Sequence, residues 1–155
     1  MISSPRYTGN EVEHAFSYNV YNDTVLVANV TSTSYTVEGL EVYTDYCFTV
    51  EALRNEQAFV SETACAKTLD LVIAAPQNLV AEAASVSTVV LTWESVEHAF
   101  SYNVYNDTVL VANVTETTFT VEGLEVYTDY CFTVEALRNE QAFVSETACA
   151  KTFFI

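Results

Sequence analysis

An all-β fold, two antiparallel sheets packed as a sandwich, follows from three features of this sequence. Valine, threonine, tyrosine and phenylalanine are abundant, with 10 Tyr and 9 Phe in 155 residues. Such β-branched and aromatic side chains suit the half-buried, pleated surface of a strand. Apolar and polar residues alternate over short runs, the period-two signature of a strand with one buried face, and these runs recur between turn-forming residues as sandwich strands do. Half of the composition is apolar, which provides for a packed core and argues against wholesale disorder.

The elements are clearest in the second half of the chain. "NLVAEA" at 78–83 and "STVVLTWE" at 87–94 open the set, the latter placing Val89, Leu91 and Trp93 on one face and Val90 and Thr92 on the other. "FSYNVYND" turns Tyr102 and Val104 inward, and a two-residue turn at Asn106-Asp107 leads into "TVLVANV". "TTFTVEGL" offers Phe119, Val121 and Leu124, "DYCFTVEAL" alternates Tyr130, Phe132, Val134 and Ala136 inward, and "FVSETACAKT" closes the set. Seven short strands are expected in all.

Most of this is written twice. Residues 12–68 superpose on 96–152 at a constant offset of 84 with three differences in 57 positions, Ser32/Glu116, Ser34/Thr118 and Tyr35/Phe119. A repeat of this kind sets the domain plan before any local feature does. The copies differ at the front: "APQNLVAEAASVSTVVLTWES" precedes the second and only "MISSPRYTGNE" the first. The expected division is an incomplete repeat over 1–68 without its first two strands, a linker over 69–75, and a complete domain over 76–155.

The cysteines can be paired by register. Cys131 sits between inward Tyr130 and Phe132 and so points outward. If its strand and the last one form a hairpin turning near Glu140, positions whose numbers add to 280 face each other: Phe132 with Ala148, Ala136 with Val144, Cys131 with Cys149. The same construction pairs Cys47 with Cys65. Opposed Cβ atoms lie ~4.5–5.5 Å apart, close to disulfide geometry, and a bond closing a loop of this length is worth roughly 3 kcal/mol. The alternative is free thiols on an exposed sheet face, as a reducing cytosol allows.

Charge and motif content narrow the function. Acidic residues outnumber basic ones 21 to 5, a net charge of -16, which disfavours nucleic acid and anionic membranes. The acids are scattered singly and read as a solvated surface. No apolar run reaches the ~18–20 residues of a membrane span, and residues 1–10 have no apolar signal-peptide core, so a soluble chain is expected. No nucleophile has an oriented base beside it, and Glu94 and Glu97 read as solvated loop acids. The two histidines, His14 and His98, have no cysteine pair at zinc spacing. Neither catalysis, metal nor cofactor is expected.

In order, Pro76…Leu79, Leu91-x-Trp93, Tyr102-x-Val104, Phe119-x-Val121-x-x-Leu124, Tyr130-x-Phe132-x-Val134-x-Ala136 and Thr152 resemble a fibronectin type III domain, an immunoglobulin-like sandwich. The resemblance covers 76–152 in full and 12–68 in part. It implies that Trp93 is the buried tryptophan of the second strand. Tyr130, and Tyr46 in copy one, would form the family's tyrosine corner, the hydroxyl bonded to backbone near Leu124 and Leu40 respectively. Bacterial members occur in secreted or cell-surface proteins, usually as spacers or adhesive units.

The expected role is therefore a non-catalytic extracellular or cell-surface spacer. An alternative is an adhesion module that binds a glycan or host protein through exposed aromatics or the loop of Arg138, Asn139 and Glu140. A third is a truncated or engineered repeat that assembles by strand exchange: the missing strands of the incomplete copy are improvised from 3–10 and "LDLVIAA" at 69–75, or supplied by another molecule in a homodimer, as near-identical neighbours invite.

Overall fold

The computed structural model describes residues 6–9, of which 6–8 by backbone alone, and residues 12–155. All regular elements among them are strands, and the chain divides into two compact units, Met1–Leu71 and Val72–Ile155. The first contains β1 (Arg6–Thr8), β2 (Ser17–Asn22), β3 (Val25–Val30), β4 (Ser34–Thr36), β5 (Asp45–Arg54), β6 (Gln57–Val60) and β7 (Ala64–Lys67). The second contains β8 (Val80–Ala83), β9 (Val89–Thr92), β10 (Ser101–Asn106), β11 (Val109–Val114), β12 (Thr118–Val121), β13 (Asp129–Arg138), β14 (Gln141–Val144) and β15 (Ala148–Lys151).

In the second unit a three-stranded sheet, β12-β9-β8, faces a five-stranded one in which β11, β10, β13 and β14 run in that order and β15 also pairs with β13. All pairings are antiparallel. The alternation in the sequence is realised as packing: Val89, Leu91, Val104, Phe132, Val134 and Ala136 have no exposed surface, and Trp93, Tyr102 and Val121 complete the core. The Trp93 and Tyr102 rings meet edge to face with centroids 5.6 Å apart, a geometry that adds to the gain from area alone.

Three local expectations are corrected. The β10–β11 turn is Asp107-Thr108, one residue later than read from sequence, with Asn106 opposite Val109. Asp107 takes the positive φ of 56° and donates its N–H to the Cys131 carbonyl at 2.8 Å. The expected last strand is two, β14 and β15. Beyond the Asn139-Glu140 turn, Ala136 faces Phe143 and not Val144, while Phe132 faces Ala148 and Cys131 faces Cys149. One extra residue within 145–147 makes up the difference. Ser145 holds the irregularity together, donating its N–H to the Val134 carbonyl at 2.8 Å and accepting the Val134 N–H on Oγ at 2.9 Å.

The boundary between units also falls earlier than expected. Ile73 and Pro76 are buried with the core of the second unit, and the Ile73 N–H donates to Gln141 Oε1 at 3.1 Å. The segment 69–75 therefore adds no strand to the first unit.

In the first unit β3, β2, β5 and β6 run in that order with β7 on β5, in the register of β11, β10, β13, β14 and β15. The other sheet has two strands, β1 and β4. Arg6, Tyr7 and Thr8 pair with Thr36, Tyr35 and Ser34, the positions that Val90, Leu91 and Thr92 take against Thr120, Phe119 and Thr118 in the second unit. The expected improvised strand is thus present over 6–8 in the place of β9, whereas 3–5 and 10 lie outside the described residues. No described strand stands where β8 does. The whole of β7 is exposed, whereas β15, which lies beside β8, is half-buried at alternate residues.

Candidate functional site

The features that recur in both units are structural fastenings. Disulfides join Cys47 to Cys65 and Cys131 to Cys149, each bridging directly opposed residues of neighbouring strands. With all four thiols oxidised, none is a free nucleophile, and such bonds fit an oxidising compartment. The hydroxyl of Tyr130 accepts the N–H of Glu125 at 2.9 Å, one residue past half-buried Leu124, and Tyr46 accepts that of Glu41, past Leu40, at the same distance. Thr152, 2% exposed, clamps the same corner: its Oγ1 donates to the Glu125 carbonyl at 2.7 Å and accepts the Thr128 N–H at 2.9 Å. Thr68 does likewise with Glu41 and Thr44.

The loop of Arg138, Asn139 and Glu140 divides. Arg138 is buried, donates to the His98 carbonyl at 2.9 Å and lies over the Phe100 ring at 4.3 Å. It fastens the loop before β10 to the end of β13, which removes it from the expected contact surface. Asn139 takes the turn at φ 50°, and it and Glu140 are exposed. Sequence reasoning missed the fastening roles of Arg138 and Ser145, because each depends on a partner that no local pattern marks.

Two surfaces remain. On the outer face of the larger sheet, Asn113 Nδ2 donates to Asn103 Oδ1 and Ser101 Oγ, and Asn103 Nδ2 and the Tyr105 hydroxyl donate to Glu135 Oε1 at 3.2 Å. Ser17, Asn19, Tyr21, Asn29 and Glu51 repeat this ladder in the first unit. The other surface lies in the first unit. An open cavity of about 260 Å³ lies over the core of the first unit, with Tyr18, Val20, Val50 and Ala52 at its floor and Tyr35, Phe59 and Val60 among its walls. The floor residues are themselves buried, as are their counterparts Tyr102, Val104, Val134 and Ala136, which cluster with Ile73, Leu91 and Trp93. Phe59 is 70% exposed where Phe143 is 43%.

Among the described residues no three His, Cys, Asp or Glu side chains gather as a metal site, and no helix is long and apolar enough to cross a membrane.

Residues 74–147 match the family "Fibronectin type III domain". Chitinase A1 of Niallia circulans is 37% identical over 130 residues, 77% of this chain and 19% of that protein. Neogenin of Rattus norvegicus is 34% identical over 142 residues, 81% of this chain and 10% of its own length. Exoglucanase B of Cellulomonas fimi is 30% identical over 131 residues, 77% and 12%. The chain thus spans less than a fifth of each. Chicken CNTN1 FN1-FN3 domains (TM-score 0.52, 18% identity, 90% of this chain and 55% of that one) and titin domains A168-A170 (0.52, 20%, 98% and 58%) share the fold. With a buried two-sheet core at 72–155 and a family match over 74–147, the second unit is a fibronectin type III domain.

Proposed function

We propose that the chain is a non-catalytic spacer segment of an extracellular or cell-surface protein, built from one complete fibronectin type III domain and one incomplete repeat of it. Fibronectin type III domains occur as non-catalytic modules in extracellular proteins, a bacterial chitinase and exoglucanase among them. The observation that carries the reading is the repetition of the same fastenings at the same register: a cross-strand disulfide, a tyrosine corner and a threonine clamp in each unit. Fastenings of this kind resist unfolding, and repeating a module adds length without inventing a new fold.

A second reading, a glycan-binding adhesion module, draws on the outer-face ladder. Amide, hydroxyl and phenol groups in a row, twice over, present the donors and acceptors that a sugar chain bonds, and two copies would add avidity. Retention on chitin and on cellulose separates the two readings. A spacer stays in solution at every polysaccharide concentration; saturable retention that weakens in Asn103→Ala/Tyr105→Ala and is lost when Asn19→Ala/Tyr21→Ala is added would replace the spacer with the adhesin.

Assembly by strand exchange faces a counting problem. Each chain has one β8–β9 pair and two surfaces able to receive it, so passing the pair between chains opens one face for every face it closes. Exchange alone therefore yields no net burial.

A further inference from the structure

We propose that Asn29 and Asn113 are acceptors for an N-linked glycan, and that the glycan covers the outer edge of the larger sheet in each unit. This goes beyond the spacer role and needs of it only that the chain is exported, which its disulfides fit.

Four tripeptides read Asn-x-Ser/Thr with x other than proline, the acceptor signature for this modification. They are Asn22-Asp23-Thr24 and Asn29-Val30-Thr31, with Asn106-Asp107-Thr108 and Asn113-Val114-Thr115 at the same places in the second copy. The structure sorts them. Asn22 and Asn106 end β2 and β10 on the inward side of the alternation; both are half-buried and stand opposite the core residues Phe48 and Phe132. Asn29 and Asn113 stand on the outward side of β3 and β11, opposite Asn19 and Asn103, and are exposed, as are Thr31 and Thr115. A bulky, solvated substituent fits only this second pair.

The edge is also one that needs a cover. Among the described residues β3 pairs only with β2 and β11 only with β10, so each strand presents an unpaired main-chain edge. Its sequence, VLVANV, has neither a charge nor a proline, and Val25, Leu26, Val109 and Leu110 are each more than half exposed. Such an edge is a template for pairing with another chain. A bulge at Val111 breaks the ladder near the turn, since Val104 faces Ala112 and Tyr105 faces Leu110; Asn113 lies in the regular half beyond it, and Asn29 is placed alike beyond Val27. Transfer joins Asn113 Nδ2 to the anomeric carbon of a glycan carried on a lipid pyrophosphate. The new C–N bond replaces the C–O bond, the lipid pyrophosphate leaves with the electron pair, and the amide gives up one proton. The one N–H that remains serves either Asn103 Oδ1, now at 2.9 Å, or Ser101 Oγ, at 3.2 Å, and not both.

The test is secretion of the full chain from a eukaryotic cell that carries the transferase, followed by intact mass and by peptide mapping after enzymatic removal of glycan in heavy-oxygen water, which marks each released asparagine. The expected result is glycan at Asn29 and Asn113 and none at Asn22 or Asn106. Thr31→Ala/Thr115→Ala, which leaves the asparagine ladder intact, should lose both glycans, and Thr31→Ser/Thr115→Ser should keep both. In salt, where repulsion between the acidic chains is screened, light scattering should give a mass independent of concentration for the glycosylated chain and a rising one for Thr31→Ala/Thr115→Ala. An unmodified chain, glycan at Asn22 or Asn106, or equal association of the glycosylated and unglycosylated chains overturns the proposal.

Discussion

Replacing the Cys131–Cys149 bond by the double substitution Cys131→Ala/Cys149→Ala should lower the stability of the second unit by about 3 kcal/mol and leave the first untouched. The magnitude comes from the closed loop: a sequence separation of 18 gives about 3 kcal/mol of loop-closure entropy restored to the unfolded chain. Little packing is lost, since Cys149 is exposed and Cys131 half-exposed. The assay exploits an accident of composition. The chain has one tryptophan, Trp93, buried in the second unit, so its fluorescence reports that unit alone, whereas far-UV circular dichroism reports both. In urea the dichroism should fall in two steps, the earlier one silent in fluorescence, because among the described residues of the first unit no strand stands in the place of β8 and a cavity lies over its core. With a denaturant slope of about 1 kcal/mol/M for so small a unit, the double substitution should move the fluorescence midpoint down by about 3 M. Cys47→Ala/Cys65→Ala, with the same separation of 18, should abolish or advance the early step and leave the fluorescence curve in place. A fluorescence shift below about 0.5 M would show that loop closure is not what the bond contributes. An equal shift from the two double substitutions would show that the units unfold as one.

Three further outcomes follow from single contacts. Ser145→Ala removes the acceptor for the buried Val134 N–H and should cost about 1–3 kcal/mol, read as a lower fluorescence midpoint. Tyr130→Phe deletes the hydroxyl that accepts the Glu125 N–H at 2.9 Å; the exposed backbone group regains water, so a loss nearer 1 kcal/mol is expected by the same measurement. Arg138→Ala should destabilise the second unit clearly, through its lost bond to the His98 carbonyl and its contact with Phe100, whereas exposed Glu140→Ala should stay within about 0.5 kcal/mol. Thermal melts of the two variants side by side give the comparison.

Much of this protein is legible in its sequence because the information is local and has period two. Val89, Leu91 and Trp93 stand at alternate positions, so they share one face as soon as the segment is a strand. The offset between the copies carries that reading to the first unit, and the position of the cysteines at equal distance from a hairpin turn marks their pairing. The details that escaped depend on where distant backbone meets. A single residue added near Ser145 shifts the β13 partner from Val144 to Phe143 near the turn and leaves Cys131 opposite Cys149; two errors of one residue cancel, and the alternation pattern registers neither. Arg138 reads as a loop cation until the Phe100 ring and the His98 carbonyl, 40 residues away in sequence, close around it. Ile73 reads as linker until it enters the core of the second unit. Alternation tells a strand which face is apolar; only the assembled sheets decide which strand lies beside it and at what register.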